Sequence, residues 1–459
     1  MLKIPGLLCV TALVSAMAPL SLPAQSSAHG TQVLAATPPM GWNSWDSYGL
    51  SVTETEFKAN TEWLNQHLKK HGWQYAVVDE GWYLQNPESK GKPAWQFTIS
   101  KDSRYLPAPN RFPSAANGAG FKPLADYVHS LGLKFGIHII RGIPKEAVAK
   151  NLPIAGSSFH AADAADQSDT CPWNPDNYGV KDNPAGQAYY DSMAKLYAGW
   201  GLDFLKVDCI ATHPYKQDEI RMISLALKKS GRPIVLSLSP GPTSLASANT
   251  VRQYAQMWRI SDDFWDHWSP TTGPEGWAQT LHGQFATAIG WAPHIEPGHW
   301  PDADMLPLGY IGPRPGLGQA RQTRFTHDEQ RTLITFWSIL RSPLIMGGNL
   351  THSDEWTTTL LTNDEVLAVD QHSTGNRPLV TTDSTVIWTA QAQQGNARYL
   401  AVFNRGEKAK KVEYDWNEFG WKKGPHQVRD LWDHKDLGSE TSLSITLQPH
   451  ASVLYRVSE

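Results

Sequence analysis

From residue 37 to about residue 371 the chain alternates between short apolar runs and longer stretches with helical spacing. The runs are PMGWNSW, YAVVDEGW, KFGIHII, FLKVDCI, PIVLSLS, QMWRISDD, WAPHIEPGHW and SPLIMGGNL. Between them lie segments such as TETEFKANTEWLNQHLKKHG, AGQAYYDSMAKLYAGWG and THDEQRTLITFWSIL, whose apolar residues recur every three to four positions. Eight strands, each separated by a helix, predict a (β/α)8 TIM barrel, with a doubly wound open sheet as the alternative. The polar residues choose between the two. Trp45 and Asp46, Asp79 and Glu80, His138 and Arg141, Asp208, Ser239, Arg259 and Asp263, and Asp302 and Asp304 fall at or just after the ends of the runs. A closed barrel gathers such positions at one mouth, whereas an open sheet spreads them along a crevice. Beyond LLTNDEVLAVDQHSTG the spacing changes to alternating strands with turn signals such as QQGN, which predicts a C-terminal antiparallel β-sandwich. The domains expected are therefore a leader over 1–30, a catalytic barrel over 31–371 and a sandwich over 372–459, the last capping the barrel or binding sugar.

The leader is a separate matter. Lys3 is followed by an apolar stretch from Leu7 to Val14 and then by Ala, Ser and Pro, the layout of a secretory signal peptide and too short for a stable membrane span. Export to the periplasm or beyond is expected, without a membrane partner once the leader is cleaved. Cleavage removes Cys9 and leaves Cys171 and Cys209, compatible with one disulfide bracing the Asp208 region or with two buried thiols.

A formal net charge of −4 and the lack of a basic stripe exclude a nucleic-acid partner. No G-x-S-x-G, P-loop or strand-bound G-x-G-x-x-G occurs, so no nucleotide or dinucleotide cofactor is expected. His294, His299, Asp302 and Asp304 in HIEPGHWPDAD do not have a recognised metal spacing. What remains is abundant carboxylate, one well-placed lysine, and 20 Trp and 15 Tyr, many beside polar turns such as GWNSWDSY and CPWNPDNY, where flat faces can stack on a ligand. That combination suits glycoside hydrolysis, in which one carboxylate faces the anomeric carbon and a proton donor serves the leaving oxygen. Lys206 and Asp208 project from the same side of one strand, so the lysine can keep Asp208 ionised as a nucleophile. Asp262, Asp263 and Asp266 are candidates for the donor, whose pKa the neighbouring Trp258, Phe264 and Trp265 could raise by desolvation; the adjacent pair cannot be separated on these grounds.

The runs TPPMGWNSWDSYG, VVDEGWY, FKPLADYVHSLGLKFGIHI, GWGLDFLKVD, WRIS-D-D, GHWPDADML and SILRSPLIMGGNL, in this order over residues 37–375, resemble glycoside hydrolase family 27, the α-galactosidase or melibiase family. The resemblance implies a retaining exo-hydrolase releasing terminal α-D-galactosyl residues from oligosaccharides or glycosides, with Asp208 as nucleophile and Asp263 as acid/base, about 5 to 5.5 Å apart. It also implies sugar contacts from Trp45, Asp79, Lys206 and Arg259, with His138, Ser239 and Asp302 as further wall residues. Four departures from the family pattern stand out. Glu80 occupies the second place of a usual Asp-Asp pair; its extra methylene reaches toward the CH2OH that galactose has and β-L-arabinopyranose lacks, so a β-L-arabinopyranosidase is the alternative. Small Ser239 stands where the family carries a bulkier pair at the sugar 2-position, which leaves N-acetylgalactosaminidase activity conceivable. His138 stands where tyrosine is common, and Cys209 is one residue nearer to Asp208 than the family's usual cysteine. A carbohydrate-binding protein without turnover is the reading from another class.

Overall fold

A computed structural model describes residues 1–2, 6, 33–89 and 95–459. The leader expected over 1–30 therefore lies outside the described residues except at Met1, Leu2 and Gly6, and everything below concerns the compact unit Val33–Glu459. No helix among the described residues is long and apolar enough to cross a membrane.

Eight parallel strands form the core: β1 (Met40–Asn43), β2 (Tyr75–Val78), β3 (Lys134–Ile140), β4 (Phe204–Asp208), β5 (Val235–Leu238), β6 (Met257–Arg259), β7 (Trp300–Asp302) and β8 (Leu344–Met346). They pair in the order β7-β6-β5-β4-β3-β2-β1-β8. The two ends meet through the segment after β7, where Leu306 N donates to Ile345 O at 2.8 Å and Gly347 N to Leu306 O at 3.0 Å. The sheet is thus curled into a TIM barrel. Each expected apolar run contains its strand. The seventh run is the partial exception: within WAPHIEPGHW, residues Ala292–His294 form a 3-10 turn and the strand begins only at Trp300.

Side-chain alternation along the strands sets what faces the axis. Phe204, Tyr75, Val77, Val235, Met257 and Trp300 form one apolar layer inside the barrel, sealed below by Leu34 and Ala35. The intervening Leu205 and Val207 pack outward among the helices. One step further up β4 the inward positions are Lys206 and then Asp208, so the strand period carries both charges to the mouth. Local signals fix the surrounding helices. A capping box of Thr53 and Glu56 starts Glu54–His67, and another of Thr326 and Glu329 starts His327–Leu340. Asn183 caps Pro184–Trp200, which ends at left-handed Gly201.

A small three-stranded antiparallel sheet, built from Ile143–Pro144, Ala165–Thr170 and Asn177–Val180, is inserted between β3 and the helix that leads to β4. Beyond Ser373 the chain forms a six-stranded antiparallel sheet and a two-stranded one, Lys410–Asp415 with Ser442–Leu447. Ile387, Leu400, Val412, Trp416, Leu443 and Tyr455 fill the space between them. The other face of the large sheet covers the barrel helix His327–Leu340: Phe336 meets Trp388 and Phe403 at ring distances of 5.9 and 5.6 Å, and Trp432 Nε1 donates to Thr335 Oγ1 at 2.9 Å.

Candidate active site

A cavity of 250 Å3 opens at the C-terminal ends of the strands. It is lined by Trp45, Asp46, Asp79, Glu80, His138, Lys206, Asp208, Ser239, Arg259, Asp263 and Asp304, with Trp95, Trp173, Asn174, Phe264, Trp265, Leu50 and Met305. That volume is below the range for drug-sized ligands and suits a single sugar ring. Nine of the ten residues expected at the site converge here, contributed by six strands.

Asp302 does not line the cavity, contrary to the expectation that it would bind substrate. Its Oδ1 accepts Asp304 N at 2.9 Å, and Asp304, with a positive φ of 86°, turns its own carboxylate into the wall. Arg259 shows the consequence. Its guanidinium pairs with Asp304 at 2.7 Å and with Asp263 at 3.2 Å, tying the end of β6 to the loop after β7. Asp262 turns away toward His213, 3.7 Å off, and is absent from the lining. Asp266 is fully occupied by Arg321 and Arg324. Of the three donor candidates, Asp263 alone faces the cavity. Of the aromatic residues expected around it, Phe264 and Trp265 line the wall, whereas Trp258 packs against Trp291.

The floor is a charge network. Asp79 accepts Asn43 Nδ2 at 2.7 Å and Lys206 Nζ at 3.0 Å, while its backbone N donates to Ser44 Oγ. His138 Nε2 stands 3.5 Å from Asp208 and 4.0 Å from Asp79, and Cys209 N donates to Asp208 Oδ1 at 2.5 Å. Burial pushes both carboxyl groups up, but the positive charges outweigh it. His138, Lys206 and the Cys209 N–H hold Asp208 below its ordinary value, and His138 and Lys206 do the same for Asp79. Burial disfavours charged His138 too, yet Asp79 and Asp208 raise it overall. The result is an ionised Asp208, ready to act as a nucleophile.

Two neighbouring carboxyls behave oppositely. Burial, helped by the charges of Asp208 and Asp79, pushes Glu80 up to about 7; Asp304 also reaches about 7 through burial and the charges of Asp263 and Asp302. Glu80 Oε1 accepts Asn174 Nδ2 at 2.6 Å. One ligating atom from each of Glu80, His138 and Asp208 lies within 4.8 Å of the others, spacing that could hold a divalent cation, although Lys206 places a fixed positive charge beside it.

Sequence reasoning placed Asp46 and Asp304 at the mouth without giving either a role, and both line the cavity; it missed Asn174 as a wall residue. Asp46 is crowded by the Gly-Gly of LIMGGNL: a Cβ at Gly347 would lie 1.8 Å from Asp46 Oδ2. Asn174 arrives on the inserted sheet, in the CPWNPDNY run whose aromatics had suggested a ligand surface. Cys171, in the same run, forms a disulfide with Cys209.

Residues 176–372 match the family model described as Alpha galactosidase A, and residues 382–457 match the Alpha galactosidase C-terminal beta sandwich domain. Among solved structures, the β-L-arabinopyranosidase of glycoside hydrolase family 27 from Geobacillus stearothermophilus is 49% identical, with a TM-score of 0.88 over 93% of this chain and 97% of that one. α-Galactosidase I from Mortierella vinacea is 25% identical, with a TM-score of 0.71 over 92% of this chain and 97% of that one. The α-galactosidase A of Cellvibrio japonicus is 26% identical over 455 residues, 95% of each chain. With nearly half the residues shared along almost the whole length of a family member, and a carboxylate-lined sugar-sized cavity at the barrel mouth, the chain belongs to glycoside hydrolase family 27.

Proposed function

We propose that the protein is a retaining exo-glycosidase that removes terminal β-L-arabinopyranosyl residues in preference to α-D-galactosyl residues. Asp208 attacks the anomeric carbon while Asp263 gives its proton to the departing oxygen; Asp263 then takes a proton from the water that hydrolyses the glycosyl ester on Asp208. Lys206 and His138 keep the nucleophile ionised, and Arg259 keeps Asp263 oriented. Asp79 accepts sugar hydroxyl protons at the closed end of the cavity.

The observation that carries the sugar preference is the hydrogen bond from Asn174, which fixes the longer Glu80 side chain in the cavity. A Glu80 free to swing aside would leave room for CH2OH; a fastened one does not. The 49% identity to a β-L-arabinopyranosidase, against 18 to 28% for the α-galactosidases, supports the same reading. The leader and the disulfide support an exported enzyme. An α-galactosidase reading is favoured by the many relatives of that name that align along most of the chain. The two part on kcat/KM measured side by side with 4-nitrophenyl β-L-arabinopyranoside and 4-nitrophenyl α-D-galactopyranoside. The arabinoside is expected to lead by about tenfold or more, the discrimination one small group supports; a faster galactoside would overturn the preference.

A further inference from the structure

We propose that the Cys171–Cys209 disulfide is a specificity brace: it fixes the loop from Cys171 to Asp176 so that Asn174 holds Glu80 in the cavity, setting the choice of sugar without touching it. The proposal rests on the arabinopyranoside reading and names the residues behind it.

Glu80 is positioned by a side chain from a separate element, and that element is anchored at both ends. At one end, Cys171 is bonded to Cys209 with a Cα–Cα distance of 6.0 Å, both cysteines buried against Ile140. The Cys209 side of the bond belongs to the barrel. Its N–H is bonded to Asp208, and its carbonyl accepts Arg141 Nε at 2.7 Å. At the other end, Asn177 Nδ2 donates to Ile140 O at 3.2 Å and Arg141 O at 3.0 Å, and Lys145 N donates to Asp176 O at 3.0 Å. Between the anchors, Pro172 and Pro175 restrict the backbone on either side of Asn174. Asn174 is 2% exposed; its Oδ1 accepts Asp176 N at 3.2 Å and its side chain also meets Tyr83, while its Nδ2 is aimed at Glu80. Its direction is set locally, whereas its place relative to β2 depends on the anchors.

A bond of 2.6 Å tolerates little displacement, and supporting groups must hold a site to within about 0.5 Å to keep it productive. Opening the disulfide removes the covalent anchor on the Cys209 side, leaving Pro172, Trp173 and Asn174 held by the Asn177 side and by side-chain contacts such as that of Trp173 with His213. Glu80 then loses its partner for part of the time and can turn out of the space that CH2OH needs. Galactoside turnover rises relative to arabinoside turnover, while Asp208 and Asp263 still supply the chemistry.

The test uses the full chain with Cys171→Ala, and Cys171→Val as a companion that keeps the apolar contact with Ile140. Both substrates are assayed on the same sample, so the ratio of kcat/KM values is independent of the fraction of folded enzyme. The arabinoside-to-galactoside ratio is expected to fall by about fivefold or more in either variant, at least as far in Asn174→Ala, and no further in the Cys171→Ala/Asn174→Ala double variant than in Asn174→Ala alone. A ratio within about twofold of wild type in both Cys171 variants, or independent losses that multiply in the double variant, overturns the brace. A wild-type enzyme that already favours galactoside overturns the arabinopyranoside reading instead, which keeps the two failures apart.

Discussion

Glu80→Asp tests the sugar preference with the smallest change the site allows. It removes one methylene and withdraws the carboxylate by about 1.5 Å, the length of one C–C bond. The native group has little freedom to retreat by itself, because Asn174 holds it at 2.6 Å and Asp208 and His138 stand within 4.8 Å. Non-bonded heavy atoms settle about 3.5 to 4.0 Å apart, so a carboxylate advanced by 1.5 Å converts contact with a C5 substituent into overlap. Relief means giving up the Asn174 bond, about 0.5 to 3 kcal/mol for a hydrogen bond to a carboxyl group that burial holds part neutral near pH 7. Discrimination by one small group in a pocket is commonly about 10- to 200-fold, in line with that cost. The arabinoside-to-galactoside ratio of kcat/KM should therefore fall by at least about tenfold in Glu80→Asp, chiefly because the galactoside improves. The assay is initial-rate hydrolysis of both nitrophenyl glycosides on one preparation. A ratio within about twofold of wild type would refute the steric role of Glu80.

Other outcomes follow from the same geometry. Asp208→Asn should lower kcat by about 10⁴-fold or more on both glycosides, measured with enzyme free of wild-type carry-over. Asp263→Ala should lose about 10² to 10⁴-fold on a substrate with a poor leaving group but far less on a dinitrophenyl glycoside, which departs without a proton; equal losses on both would contradict its role as acid. His138→Phe removes the hydrogen bond and the charge that do most to lower the Asp208 pKa, leaving Lys206 and the Cys209 N–H against burial, so the acidic limb of the kcat/KM–pH profile should move upward; an unmoved limb would show that His138 does not control the nucleophile. Gly347→Ala forces a methyl against Asp46 and should cost about 1 to 3 kcal/mol in denaturant unfolding, with lowered activity.

Much of this protein is legible in its sequence for a simple physical reason. A parallel strand covered by helices must be apolar for several residues, so FLKVDCI or KFGIHII stands out, and a charge inside such a run has to sit at the mouth. What escaped has equally physical causes. The inserted strand Ala165–Thr170 reads ADQSDT and is largely exposed, so its pairing leaves no apolar alternation to find, and Asn174 went unnoticed with it. Asp302 and Asp304 were both expected at the mouth, with Asp302 as the sugar contact, yet only Asp304 lines the cavity, because its left-handed backbone after β7 changes which carboxylate points inward; alternation along a strand carries no such information. Asp262 and Asp263 are adjacent and chemically alike. Their chemistry does not separate them; the family resemblance names Asp263, and in the structure the Arg259 pair and the turn of Asp262 toward His213 distinguish the two.

Trapping the glycosyl-enzyme tests the central claim most directly. Incubation with 2,4-dinitrophenyl 2-deoxy-2-fluoro-β-L-arabinopyranoside, followed by intact-mass measurement and peptide mapping, should find one fluorosugar per chain on the peptide carrying Asp208. An adduct on another residue, or a first-formed sugar of inverted anomeric configuration by NMR, would contradict it.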